Sequence, residues 1–239
     1  MRTILRPPLQ ARVNSGITFR PDANTVLWLP GQDDPQSSTI RDRSGNSNDG
    51  AITGALWKQT GQGLWYLDFD GTDDNVNLGT DASMDLTNFT IAVWAKLSVL
   101  PSDSGPENMW LFGKAQAFNV NGYQLWLRAT DRIDVATSQA AASQESTSAG
   151  SVLTADTWLH IAGTVSGAVG KVYLGGDDVT SFSATHIAPT PASKTATIGL
   201  QGTIFDLNGG LALLRVYSKA LSAGEIKGIF NTEIHLFGV

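Results

Sequence analysis

The sequence predicts an all-β protein: two antiparallel sheets packed as a sandwich and closed by one short C-terminal helix. Three observations carry this. From Thr25 onward, short runs of alternating apolar and polar residues recur between clusters of Gly, Asn, Asp and Ser, a pattern of strands and turns rather than of βαβ units. Hydrophobic residues make up 41% of the 239 positions, enough to fill a two-sheet core within one domain. Only one segment carries helical signals: Ser222 followed by Glu225 forms a capping box, with Ile226, Ile229 and Phe230 on one face behind it.

Residues 1–22 read as an extended arm, because Arg2, Arg6, Arg12 and Arg20 precede the first acid at Asp22 and Pro7, Pro8 and Pro21 disfavour helix. The domain proper is expected over residues 23–239. Its strands are expected near 25–29, 51–57, 64–69, 75–78, 89–97, 109–114, 122–128, 131–137, 157–165, 170–174, 195–200 and 209–217. The stretch from Ser138 to Ser151 is small and polar without a period, and reads as a surface loop. Between Leu67 and Gly79, Leu67 and Phe69 alternate with Asp68 and Asp70, then Gly71, Thr72, Asp73 and Asp74 supply turn chemistry, and Val76 and Leu78 alternate with Asn75 and Asn77. That is a hairpin with an anionic corner.

Five segments in order, RDRSGNSNDG from Arg41, LDFDGTDDNVNLG from Leu67, FTIAVWAKL from Phe89, TWLHIAGTVSG from Thr157 and GGLALLRVYSKALSAGEIKGIFN from Gly209, resemble the laminin G-like, concanavalin A-like jelly-roll family. The resemblance runs from about Val26 to Asn231 and implies a jelly-roll sandwich ending in a short helix. It leaves activity open, because such a scaffold hosts many jobs. It also implies a calcium at the sandwich edge, for which the matching positions are Asp70, Asp73 and Asp74; oxygen-rich, glycine-bearing turns suit that ion. Asp and Asn equally serve such turns without any metal. Relatives often carry an acidic pair in the last long strand, where this chain has Leu211-Ala212-Leu213-Leu214.

Several function classes lose support. A net charge of −6 with no basic, aromatic-interleaved cluster argues against a nucleic-acid ligand. The absence of cysteine removes disulfides, iron–sulfur clusters and thiolate zinc. No apolar run approaches the ~18 residues of a membrane span, and the segment from Met1 to Gly16 lacks the apolar stretch of a signal peptide. None of Glu107, Glu145, Glu225 and Glu233 has an acid two positions away, as a glycan-cleaving strand of this family would show. There is no Gly-x-Ser-x-Gly elbow, and His160 lies in an expected core strand. The expectation is therefore a protein that is not an enzyme.

Seven tryptophans remain to be placed. Trp28, Trp57 and Trp158 sit among apolar neighbours and read as core. Trp126 shares a strand face with Gln124 and Arg128, and Trp94 shares one with Thr90 and Lys96. A tryptophan among polar side chains is the better platform for a sugar ring, so Trp126, Arg128, Gln124 and Trp94 are the candidate ligand-binding residues. The reading that follows is a non-catalytic binding or display module recognising a glycan or a protein surface. The segment from Pro21 to Gly50 resembles the entry to laminin G-like domains of virion tail, fibre and capsid-decoration proteins, which implies a virion or extracellular surface. The main rival is a structural virion protein, with the arm of residues 1–22 docking onto other subunits in an oligomer or larger assembly; a glycan-cleaving enzyme is a minor alternative.

Overall fold

The computed structural model describes residues 17–33, 35–103, 108–140, 142–202 and 205–239. In chain order the strands are β1 (Thr25–Leu29), β2 (Thr39–Ile40), β3 (Gly50–Thr53), β4 (Leu56–Gln59), β5 (Trp65–Asp70), β6 (Asn75–Asn77), β7 (Phe89–Leu97), β8 (Met109–Ala117) and β9 (Val120–Arg128). They continue with β10 (Arg132–Gln139), β11 (Ala142–Ser148), β12 (Trp158–Ser166), β13 (Val169–Leu174), β14 (Asp177–Asp178), β15 (Thr180–Ser183), β16 (Ala196–Ile198) and β17 (Asn208–Tyr217), before helix α1 (Ala223–Glu233). The first sheet runs β14-β13-β12-β7-β17-β5-β4, with β1 also pairing β17; the second runs β15-β11-β10-β9-β8-β16-β6-β3-β2. The strand pairings are antiparallel, as the alternating pattern requires.

Phe89, Ile91, Val93, Ala95 and Leu97 turn one face of β7 into the sandwich, where they join Leu125, Leu127, Ile133 and Val135 of the second sheet in one core. Close approach of the sheets is visible at Gly163, whose missing Cβ would lie 2.8 Å from Val135 and 3.0 Å from Leu125. The RDRSGNSNDG segment has a structural use. The buried Asp42 carboxylate accepts from the backbone N–H groups of Trp28, Ser44 and Asn48 and from the Ser44 hydroxyl, at 2.7–3.0 Å. Asn46 and Asn48 add side-chain donors to the Val26 carbonyl. One carboxylate thus gathers the donors of a tight loop and pins them to β1.

The outer face of the first sheet carries a third layer. Helix α1 begins at the expected capping box, with Ser222 and Glu225 bonded reciprocally. The chain after the helix lays Leu236 and Phe237 over Trp28, Trp94 and Trp158. The helix is locked by a buried ion pair: Arg215 of β17 donates twice to Glu233, which also accepts from the Trp94 indole N–H at 3.0 Å. The Arg215 guanidinium lies 4.0 Å from the Trp28 ring centroid and 4.2 Å from that of Phe19. Phe19 and Ile17 pack against this same layer, so the chain from residue 17 is strapped to its own domain. The rest of the expected arm, residues 1–16, lies outside the described residues.

Two expectations about elements need correction. The single strand expected over 51–57 is two, because Gly54 at φ +77° turns the chain out of the second sheet at β3 and into the first at β4. The expected loop over 138–151 contains β11, which has no apolar period. Its order comes from the ladder to β10 and from side-chain bonds such as Ser146 Oγ to His186 Nε2 at 2.8 Å.

Candidate functional site

The four side chains expected to meet a ligand are placed differently. Trp94 is fully buried beneath the C-terminal layer, stacked on Phe237 at 4.1 Å and Phe230 at 5.7 Å between ring centroids. Trp126 is 1% exposed, because Phe118 from the β8–β9 turn meets it edge-on at 5.1 Å. Gln124 is buried and donates to Asn119. Arg128 keeps a half-exposed head, but it makes a bidentate pair with Asp134, at 3.0 and 3.2 Å, and donates to Glu145 at 2.5 Å. Exposure was therefore the wrong inference for the two tryptophans and for Gln124, and Arg128 is committed within the protein. The cover of Trp94 comes from a distant segment, and the partners of Trp126, Gln124 and Arg128 come from the adjoining turn and the next strands; strand alternation reveals neither.

The same outer face of the second sheet nevertheless presents a site. Phe118 and Phe205, both half-buried, pack ring to ring at 4.4 Å with an interplanar angle of 35° and form an aromatic step above Trp126. Beside the step opens a cleft of about 560 Å³. Phe118 and Phe205 supply its apolar wall, and Gln116, Lys194, Thr195 and Gln201 its polar rim. Its members come from the end of β8 and the turn that follows it, from β16 and the segment leading into it, and from the loop between β16 and β17. A concave site with an apolar wall and a few placed polar groups is the usual form of a small-ligand or sugar site. Sequence reasoning missed it because three separate segments meet there; the available signal was an aromatic residue, Phe118 or Phe205, set among polar loop residues.

Asp134, cross-strand from Trp126, and Glu145 are arranged for structure. Burial pushes the Asp134 carboxyl up to about 6 against the pull of Arg128, and Glu145 accepts from Asn119 at 2.7 Å as well as from Arg128. His160 is buried among Trp94 and Phe230, with neither ring nitrogen partnered, and burial holds its pKa down to about 3. His186 is buried between Thr137 and Ser146, bonded at 2.9 and 2.8 Å, and burial holds it down to about 4. Neither histidine faces the cleft wall.

Asp70, Asp73 and Asp74 do come together, with ligand-capable oxygens within 4.8 Å of one another. Asp74 Oδ2 accepts from the Asp70 N–H at 2.8 Å, and Asp70 Oδ1 accepts from the Thr72 N–H at 2.9 Å. Burial, followed by the neighbouring carboxylates, raises the pKa of Asp74. Crowded hard oxygen donors of this kind fit a calcium ion. The corner also lies close against both ends of the cleft loop. The missing Cβ of Gly199 would lie 3.1 Å from the Asp74 carbonyl, and that of Gly71 would lie 2.9 Å from the Asn208 side chain.

Two antiparallel sheets of this topology define a β-sandwich scaffold that hosts binding and catalytic proteins alike. The chain belongs to the concanavalin A-like lectin/glucanases superfamily, whose laminin G-type model matches residues 70–227. Among solved structures it is similar to the binding domain of Paraclostridial mosquitocidal protein 1, with 18% identity and a TM-score of 0.69 over 87% of this chain and 52% of that one. It is similar to the binding domain of botulinum neurotoxin serotype D, with 16% identity and a TM-score of 0.66 over 88% and 52%. Trypanosoma rangeli sialidase in complex with sialic acid matches with 17% identity and a TM-score of 0.66 over 90% and 34%. The chain thus spans about half of the toxin binding domains and a third of the sialidase, and the shared property is the fold. No curated protein matches it in sequence.

Proposed function

We propose that this chain is a binding module whose cleft beside Phe118 and Phe205 holds a sugar of a glycan or glycoprotein surface. The observation that carries the reading is the paired phenylalanine step set against a rim of amide, hydroxyl and ammonium groups. A pyranose has one apolar face and an edge of hydroxyls, and the two halves of the cleft match them. The likeness to two toxin binding domains and to a sialidase solved with sialic acid supports the same reading. The Arg128 bridge between Asp134 and Glu145 favours recognition over glycan cleavage, because it commits both acids to the fold. The setting we propose is an extracellular or virion surface, supported by the resemblance of residues 21–50. On a glycan array the full chain is expected to retain a subset of glycans, and Phe205→Leu, which keeps an apolar side chain against Phe118, to weaken that binding about tenfold while the chain stays folded. An array with no retained glycan would sink the reading.

We further propose that Asp70, Asp73 and Asp74 hold calcium. Bound there, the ion would relieve the repulsion among three carboxylates and stiffen both ends of the loop carrying Gln201 and Phe205. Calcium is expected to raise the melting temperature by mass action, and Asp70→Ala to abolish the increment. Equal melting in calcium and in chelator would leave the three residues as turn formers.

A further inference from the structure

We propose that the cleft selects sugars bearing a single carboxylate, with Lys194 as the residue that reads the acid; this rests on the binding reading given above. Most lysines and arginines of the described residues sit against a carboxylate: Arg41 and Arg43 near β2, Lys58 on Asp68, Lys114 on Asp85, Lys171 on Asp178, Lys219 on Glu225 and Lys227 on Asp177. Lys194 has no such partner among the described residues, although it lines the cleft and is half-buried. Its position is fixed rather than trailing. The Lys194 N–H donates to the Pro191 carbonyl at 2.9 Å, closing a turn, and β16 begins two residues later.

The surroundings make an unpaired ammonium informative. Among the described residues it is the one charged side chain lining the cleft. Asp206, next in sequence to Phe205, is itself engaged within the protein, and Glu145 and Asp134 are held by Arg128. Gln201 is largely buried at the cleft wall, yet its side-chain amide makes no hydrogen bond among the described residues. The Gln201 amide and the Lys194 ammonium, carried on buried and half-buried residues, make no protein hydrogen bond among the described residues and reach the open cleft, so their donors are available to a ligand. The Phe118 and Phe205 rings would take the apolar face of the ring, Gln201 and Thr195 its hydroxyls, and Lys194 its carboxylate.

Charge decides between a monoanion and a polyanion. A sulfated polysaccharide needs an array of cations, whereas this chain carries a net charge of −6 and offers the cleft one ammonium. One ammonium balances one carboxylate, and the acidic body repels a longer anionic chain.

The test is calorimetric titration of the full chain with sialyllactose and a glucuronic acid-terminated disaccharide, against lactose as the neutral control and a heparin fragment as the polyanion. At least one carboxylate sugar is expected to bind about tenfold tighter than lactose and tighter than heparin, with the preference shrinking as salt is raised. Lys194→Gln is expected to bring the acidic sugar down to the level of lactose while Lys194→Arg keeps the preference, both at unchanged melting temperature. Lactose binding as tightly as the acids, heparin binding tightest, or Lys194→Gln keeping the preference would each overturn the assignment while leaving the binding reading intact. If none of these ligands bound, and the glycan array were also blank, the binding reading would fail and the assignment with it.

Discussion

Truncating Glu233 to alanine is expected to lower the unfolding free energy by about 3–5 kcal/mol, the cost of leaving a buried charge without its partner. Arg215, 1% exposed, would keep its guanidinium beneath the helix without the Glu233 carboxylate, and the Trp94 indole would lose its acceptor. Urea denaturation followed by tryptophan fluorescence measures the loss, and Trp94 reports on it directly. Removing both members behaves differently. Arg215→Met with Glu233→Leu leaves no orphaned charge and is expected to recover most of the stability, because apolar pairs of similar volume replace buried ion pairs well. A single variant within about 1 kcal/mol of the parent would mean that water reaches Arg215 and that the C-terminal layer is not a sealed one.

Stability is expected to rise with pH between about 4 and 6.5 and to level off above it. Burial depresses the folded-state pKa of His186 to about 4 and of His160 to about 3, against the ordinary value of 6.5. Within that window the unfolded chain takes up two protons that the native chain refuses, so acid favours unfolding. Asp134 acts in the opposite sense. Its carboxyl, pushed up to about 6, keeps a proton in the native state that an unfolded aspartate has already released. The balance is about one proton, or about 1.4 kcal/mol per pH unit. Thermal melts from pH 4 to 8 test the slope. His160→Leu is expected to remove most of it and to stabilise the protein at pH 5, because its two nitrogens are buried without partners. A melting temperature independent of pH across this range would show that one of the two imidazoles is hydrated, and one that falls as pH rises would show that both are.

The sequence disclosed features whose cause is local. The capping box at Ser222 and Glu225 stands where two residues three apart define it. The inward alternation of Phe89, Ile91, Val93 and Leu97 is set by the pleat of β7 alone. The carboxylates of Asp70, Asp73 and Asp74 converge because one turn holds all three. What stayed hidden depends on contacts that the local apolar–polar pattern does not specify. Trp94 is covered by Phe230 and Phe237, more than 130 positions later, and no pattern around Trp94 announces them. Phe118 hides Trp126 by folding a turn back over the sheet. Strand β11 is invisible to hydropathy because Ser, Gln, Glu and Thr side chains fill it, and its bonds to Arg128 and His186 are tertiary. The cleft assembles from three segments, so only the folded chain brings Phe118, Lys194, Gln201 and Phe205 to one place.

The position of β17 governs how the molecule can be made. This strand lies between β7 on one side and β5 and β1 on the other, and its pairing with β1 joins Leu29 to Leu214 and Thr25 to Tyr217. A chain leaving the ribosome delivers all three partner strands long before it delivers the one that connects them. Until Tyr217 has emerged, the first sheet is open at its centre, with β1 unpaired and the edges of β7 and β5 free to meet another strand. Native assembly must therefore wait for nearly two hundred residues of synthesis after β1, and the nascent chain passes through a long interval of exposed sheet edge in which a neighbouring copy or a chaperone competes with its own last strand.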